Sequence, residues 1–133
     1  MRAFDGGGRT KDAIGAYEVK FDDWAKFKLL RQSDGSYAIQ TSNGINYLTA
    51  VNGGGLVLGS SVPAVFHTDA TQVQAWEKFR FVEMKNCYYA IQTVSGYYVG
   101  LAGLSGVGST RISDIFSATK FRLVMAGLTQ TGR

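Results

Sequence analysis

Ser60, Ser61, His67 and Asp69 fall within ten residues of one another. A serine, a histidine and an acid are the types used for nucleophilic hydrolysis. The histidine draws the hydroxyl proton, and the acid orients the histidine. Such a set also needs mutual hydrogen bonds and an oxyanion hole. His67 is the chain's one histidine, and 60–75 reads as a long loop around Pro63. His67 is therefore expected as a loop residue or a ligand contact, not as a base, and no catalytic residue is assigned. Cys87 is the one cysteine. Without a histidine partner it reads as a bystander thiol, and without a Cys/His cluster no metal site or cofactor is expected. Gly103 to Gly108, followed by Ser109-Thr110, imitates a phosphate-binding loop. It lacks the lysine and a following helical pattern, so no nucleotide is expected.

Binding chemistry is better represented. Aromatic residues make up 13% of the chain, including two tryptophans and seven tyrosines. Indole and phenol rings offer an apolar face and a polar tip, which suits wet binding surfaces. The candidate ligand contacts are Tyr17 and Trp24 in one segment, and His67, Asp69, Gln74 and Trp76 in another. Tyr47 and Tyr97 are added as outward strand tyrosines. Asn46, Gln40 and Gln92 are possible hydrogen-bonding neighbours. The net charge is +4 with a pI near 9.3, yet Lys and Arg are dispersed. Nucleic-acid binding wants a basic stripe or patch, so none is expected. No run approaches the roughly 18 apolar residues of a membrane span. The stretch Met1–Gly8 lacks the apolar core of a signal peptide. A cytoplasmic protein, or a module of a larger one, is expected.

The elements that must position these residues come from a repeat. Trp24-Ala-Lys-Phe-Lys-Leu and then Tyr37-Ala-Ile-Gln-Thr return as Trp76-Glu-Lys-Phe-Arg-Phe and Tyr89-Ala-Ile-Gln-Thr. Thr119-Lys-Phe-Arg-Leu repeats the first half, with Ala118 where the tryptophan would stand. Ala3-Phe-Asp-Gly-Gly-Gly matches Ala50-Val-Asn-Gly-Gly-Gly, and Asp/Asn-Gly is a strong hairpin-turn signal. Alternation in 24–30, with Phe27 and Leu29 on one side and Lys26 and Lys28 on the other, reads as a half-buried strand. Further strands are expected at 37–41, 46–51, 56–58, 76–82, 89–93 and 97–101. Phe27, Phe79 and Phe121 are equivalent anchors, spaced by 52 and 42 residues. The expected core adds Leu29, Ile39, Leu48, Phe81, Ile91, Val99 and Leu123.

Three lobes of four short strands resemble a β-trefoil. Together with the glycine turns, the motif set resembles the fascin-like repeats of the actin-crosslinking superfamily. Gln74-Ala75-Trp76 also matches the Gln-x-Trp motif of ricin-type lectin trefoils, in one lobe only. The resemblance implies a single all-β domain at 1–133, with lobes 1–36 plus 125–133, 37–88 and 89–124. The cut within one lobe resembles a circular permutation or a piece of a tandem array. Gly127–Thr131 is expected to pair as the first strand of the lobe whose second strand holds Ala3 and Phe4. Exchange of that strand between chains would give a homo-oligomer. The function expected is non-catalytic binding of carbohydrate. The fascin-like alternative is binding to actin or another protein surface. Lys26, Lys78 and Lys120, and Lys28, Arg80 and Arg122, form equivalent sets of cations suited to an anionic partner.

Overall fold

The computed structural model describes residues 1–15, 25–59, 61–102 and 107–123. Among the described residues ten strands follow one another: Arg2–Ala3 (β1), Ile14–Gly15 (β2), Lys28–Arg31 (β3), Tyr37–Gln40 (β4) and Tyr47–Ala50 (β5). Then come Phe66–Ala70 (β6), Arg80–Glu83 (β7), Tyr89–Gln92 (β8), Tyr98–Ala102 (β9) and Val107–Ile112 (β10). The helical pieces among the described residues are single 3₁₀ turns, and none is long and apolar enough to cross a membrane.

The repeat in sequence becomes a repeat in register. β3 to β6 form one antiparallel sheet in chain order, and β7 to β10 form another in the same order. Leu29 lies opposite Ile39 in the first, and Phe81 lies opposite Ile91 in the second. The Tyr-Ala-Ile-Gln strands β4 and β8 bury the same two residues, Ala and Ile. β1 and β2 form a third, two-stranded piece. The boundaries drawn at residues 36 and 88 fall in the β3–β4 and β7–β8 turns.

The sheets are joined in two recurring ways. Tyr37 and Phe79 exchange both backbone hydrogen bonds, at 2.8 and 2.9 Å, and Tyr89 and Phe121 do the same at 2.7 and 2.8 Å. The second joint is a threonine clasp. Thr110 of β10 is fully buried; its hydroxyl accepts from the Leu56 amide (3.2 Å) and its own amide donates to the Leu56 carbonyl (2.8 Å). Thr68 of β6 grips Arg9 in the same manner, at 3.0 and 2.7 Å. The Thr119 hydroxyl accepts from the Leu101 amide at 2.8 Å. A buried amide left unpaired is costly, so the Thr68 and Thr110 hydroxyls hold successive parts of the chain together, and the Thr119 hydroxyl holds β9 within its own part. The core is shared by all of them: Ala3, Ile14, Ile39, Leu48, Phe66, Phe79, Ile91 and Val99 form one cluster.

Several expectations need correction. Phe66–Ala70, expected as part of a loop, is strand β6, with Phe66 and Thr68 inward and His67 and Asp69 outward. Leu29 and Leu123 are 36% and 46% exposed rather than core. Leu29 lies on β3, an edge strand of its sheet, so its side chain is covered from one side only. Phe79 is 1% exposed, whereas Phe27, Phe81 and Phe121 are partly buried against the cluster. The Asp/Asn-Gly segments are not two-residue hairpins. Phe4–Gly6 and Val51–Gly53 are tight 3₁₀ turns, with Asp5 and Asn52 in the left-handed region at φ 59° and 58°. Residues 56–58 contribute one isolated bridge, Val57 to Ser109, not a strand. The proposed terminal strand 127–131 lies outside the described residues.

Candidate functional site

The two glycine turns create two equivalent faces. Each turn packs against the β-turn of the next sheet. A methyl group at Gly7 would overlap the Thr41 hydroxyl and the Asn43 amide. A methyl group at Gly54 would overlap the Thr93 and Ser95 hydroxyls. Positive φ angles of 120° and 107° further restrict these positions to glycine. The Asn43 amide donates to the Gly6 carbonyl (3.2 Å), and the Ser95 amide donates to the Gly53 carbonyl (3.3 Å). Either face is thus built from two neighbouring sheets.

The face at Gly53–Gly55 is aromatic. Trp76, in the 3₁₀ turn Ala75–Glu77, lays its indole edge beside Gly53; a Cβ there would meet Cδ1 and Nε1 at 3.3 and 3.4 Å. Val94 borders the same glycine, and Tyr97 borders Gly55. Trp76 is 46% and Tyr97 37% exposed. Beneath Trp76, Glu77 is buried, accepting from the Gln74 amide (2.9 Å) and from the Thr49 hydroxyl (2.7 Å). Those bonds fix the turn, so the indole is held in place. Gln74 caps this turn, its carbonyl also accepting from the Glu77 amide at 3.1 Å, and it is exposed.

The face at Gly6–Gly8 is an open groove. It is lined by Asp5, Gly6, Lys26, Phe27, Lys28 and Gln40 to Gly44. Asp5 is paired with Arg9 at 3.0 Å. Asn43 spends its side chain inside the turn, accepting from the Thr41 hydroxyl and the Ile45 and Asn46 amides and donating to Asn46 Oδ1.

The other candidate residues divide. Tyr17 and Trp24 lie outside the described residues. His67 sits opposite Thr49, the residue that binds Glu77, so it belongs to the same neighbourhood as Trp76. Its Nδ1 is 4.0 Å from Asp69 Oδ1, beyond hydrogen-bond reach. Tyr47 is a half-buried strand residue paired with Gln40 and Ala70. Gln40 and Gln92 brace turns, donating to Gly44 and Gly96 carbonyls at 3.1 and 2.9 Å. Asn46 is buried. Tyr37, Phe81 and Tyr89 pack edge to face at 5.8 and 6.4 Å, and Arg122 covers Tyr88 at 4.7 Å. These tyrosines are packing residues. Ala118, at the third tryptophan position, is buried and offers no ring. Sequence reasoning missed Asp5, Arg9, Ser42 and Asn43; the signal was present where the two glycine turns differ.

Lys78 is tied to Asp34 at 3.5 Å. The Ser36 hydroxyl and amide, with Lys78 adding to them, hold the Asp34 carboxyl down at about 2.

Among solved structures, the chain is similar to a designed 3-fold symmetric protein, ThreeFoil, with a TM-score of 0.74 over 93% of this chain and 89% of that one, at 15% identity. The fold is a β-trefoil. At that identity the likeness concerns the backbone arrangement. No family of known proteins and no curated protein sequence matches the chain. In this trefoil the two faces repeat one arrangement, a glycine turn packed on the β-turn of the next sheet.

Proposed function

We propose that this β-trefoil is a non-catalytic module that binds carbohydrate on the Trp76–Tyr97 face. One observation carries the reading: a half-exposed indole fixed beside Gly53 and a second exposed ring beside Gly55. Two residues of chain span at most about 7 Å, so both rings address the same one or two saccharide units. Apolar sugar faces stack on such rings, and exposed Asn52, Gln74 and Ser95 offer polar groups to the hydroxyls. Exposed, rigidly held apolar groups with a polar rim mark binding sites more often than idle surface. A glycan array tests it. Retention of a defined glycan, lost by roughly thirtyfold or more on Trp76→Ala, is the expected result, since a buried aromatic anchor is worth about 2 kcal/mol or more. No retention, or equal retention by Trp76→Ala, overturns it.

The fascin-like resemblance carries a second reading, a protein-binding module engaging actin or another filament. Exposed Lys28, Arg80 and Arg122, at equivalent positions of the three lobes, favour it. Co-sedimentation with filaments, without glycan retention, would select this reading instead.

A further inference from the structure

Two 3₁₀ turns of this chain are built alike, Ala75–Glu77 and Ile115–Ser117. In the first, the Glu77 and Lys78 amides donate to the Gln74 and Ala75 carbonyls at 3.1 and 3.2 Å. In the second, the Ser117 and Ala118 amides donate to the Asp114 and Ile115 carbonyls at 3.0 and 3.2 Å. Each turn follows the last strand of its sheet, β6 or β10, and leads to an anchor phenylalanine, Phe79 or Phe121. These bonds put Phe116 at the middle position, where Trp76 stands. Spacing from the anchor points instead to Ala118. The second turn lies two residues earlier, and Thr119 and Lys120 fill the difference.

The turn at Phe116 is held at both ends. Asp114 caps its start, with Oδ1 accepting from the Phe116 amide at 3.1 Å. Ala118 is buried at its far end. Beyond it the Thr119 amide donates to the Val99 carbonyl at 3.1 Å, and the Thr119 hydroxyl accepts from the Leu101 amide at 2.8 Å. None of this covers the Phe116 ring. It is 80% exposed, the most exposed large apolar side chain among the described residues. A lone exposed ring is ordinary on a protein surface. This one repeats the placement of the Trp76 indole on a turn that is fixed in the same way.

The polar residues around the ring set the ligand class. Asp114 lies two residues away, within about 7 Å along the chain. It is exposed, and its one hydrogen bond among the described residues is to the Phe116 amide. Ser113 and Ser117 are exposed as well. A carboxylate accepts hydrogen bonds and donates none, so it suits hydroxyl groups and repels anions. We infer that Phe116 is a further saccharide platform, for an uncharged sugar that stacks on the ring and donates hydroxyls to Asp114; this rests on the carbohydrate reading and adds a site to it. A phenyl ring offers less area than an indole. The Phe116 site is therefore the weaker of the two, and retention on an array still depends on Trp76.

The experiment is a titration of the 15N-labelled full chain with an uncharged oligosaccharide retained on the glycan array, followed through the amide shifts. The amides of 114–117 should shift and saturate, as should those of Trp76 and Tyr97. Phe116→Ala should weaken binding at 114–117 by about tenfold or more and leave the Trp76 response unchanged. The ring is too exposed for its loss to alter the melting temperature, which a melting curve checks. Asp114→Asn keeps an oxygen to cap the turn. It should weaken the same site by about fivefold, because charged acceptors make the stronger hydrogen bonds. Shifts confined to the Trp76 face, or a response at 114–117 that survives Phe116→Ala, overturn this inference and leave the carbohydrate reading standing. Equal binding by Asp114→Asn overturns the assigned ligand class. Shifts confined to 114–117 support the Phe116 platform and overturn the Trp76 one. If the array retains no saccharide, both fall.

Discussion

Replacing Thr110 with valine isolates the threonine clasp, because the two side chains have nearly the same shape. The hydroxyl accepts from the Leu56 amide at 3.2 Å and donates to the Leu56 carbonyl at 3.3 Å. The carbonyl keeps a second partner, the Thr110 amide at 2.8 Å. The Leu56 amide loses its acceptor, and with Thr110 wholly buried, water has little room to replace it. One orphaned buried donor costs about 1–3 kcal/mol. In urea, with a slope of roughly 1–3 kcal/mol/M, the midpoint should fall by about 1 M at unchanged slope. Thr68→Val should cost a similar amount, since it orphans the Arg9 amide by the same geometry. Losses below about 0.5 kcal/mol in both variants would refute the view that these hydroxyls hold the lobes together.

Phe79→Ala should cost about 3–5 kcal/mol by urea titration, and Phe27→Ala and Phe121→Ala distinctly less, because Phe79 alone of the three is fully buried; equal losses at all three would contradict this. Asp34 supplies a pH dependence. Its carboxyl is held at about 2 in the folded chain against an ordinary 3.8, first by the Ser36 hydroxyl and then by the Ser36 amide. A depressed carboxyl adds stability that is present above the ordinary value and is lost as pH falls through the folded one. Asp34→Asn should therefore show a shallower loss of stability than wild type between pH 3.8 and about 2. Identical acid limbs would remove Asp34 from the account.

The architecture was legible because repetition carries more information than any single motif. The identical Tyr-Ala-Ile-Gln strands keep identical burial, and Asp5 and Asn52 adopt nearly the same left-handed conformation. β6 was hidden because His67 and Asp69 face outward and Pro63 stands just before it, which disguises a strand as a loop. Leu29 and Leu123 misled because alternation fixes which side a residue faces, not how well that side is covered. Trp76 was singled out by the repeat and by the Gln-x-Trp motif. The groove was not, because Asp5, Arg9, Ser42 and Asn43 are ordinary surface residues in sequence. They are 33 or more residues apart across the two turns, and the packing of one turn on the other makes them neighbours.

The clasp runs in one direction around the molecule. The segment after β1 is gripped by a strand of the sheet that follows, and the segment after β5 by a strand of the next. A lobe cut out and expressed by itself would keep its hairpins yet lose the acceptor for its own glycine turn. Among the described residues the lobes are thus spans of an arch rather than beads on a string: the first leans on the second and the second on the third. A single lobe duplicated to build such a chain would gain little stability until its successor was in place.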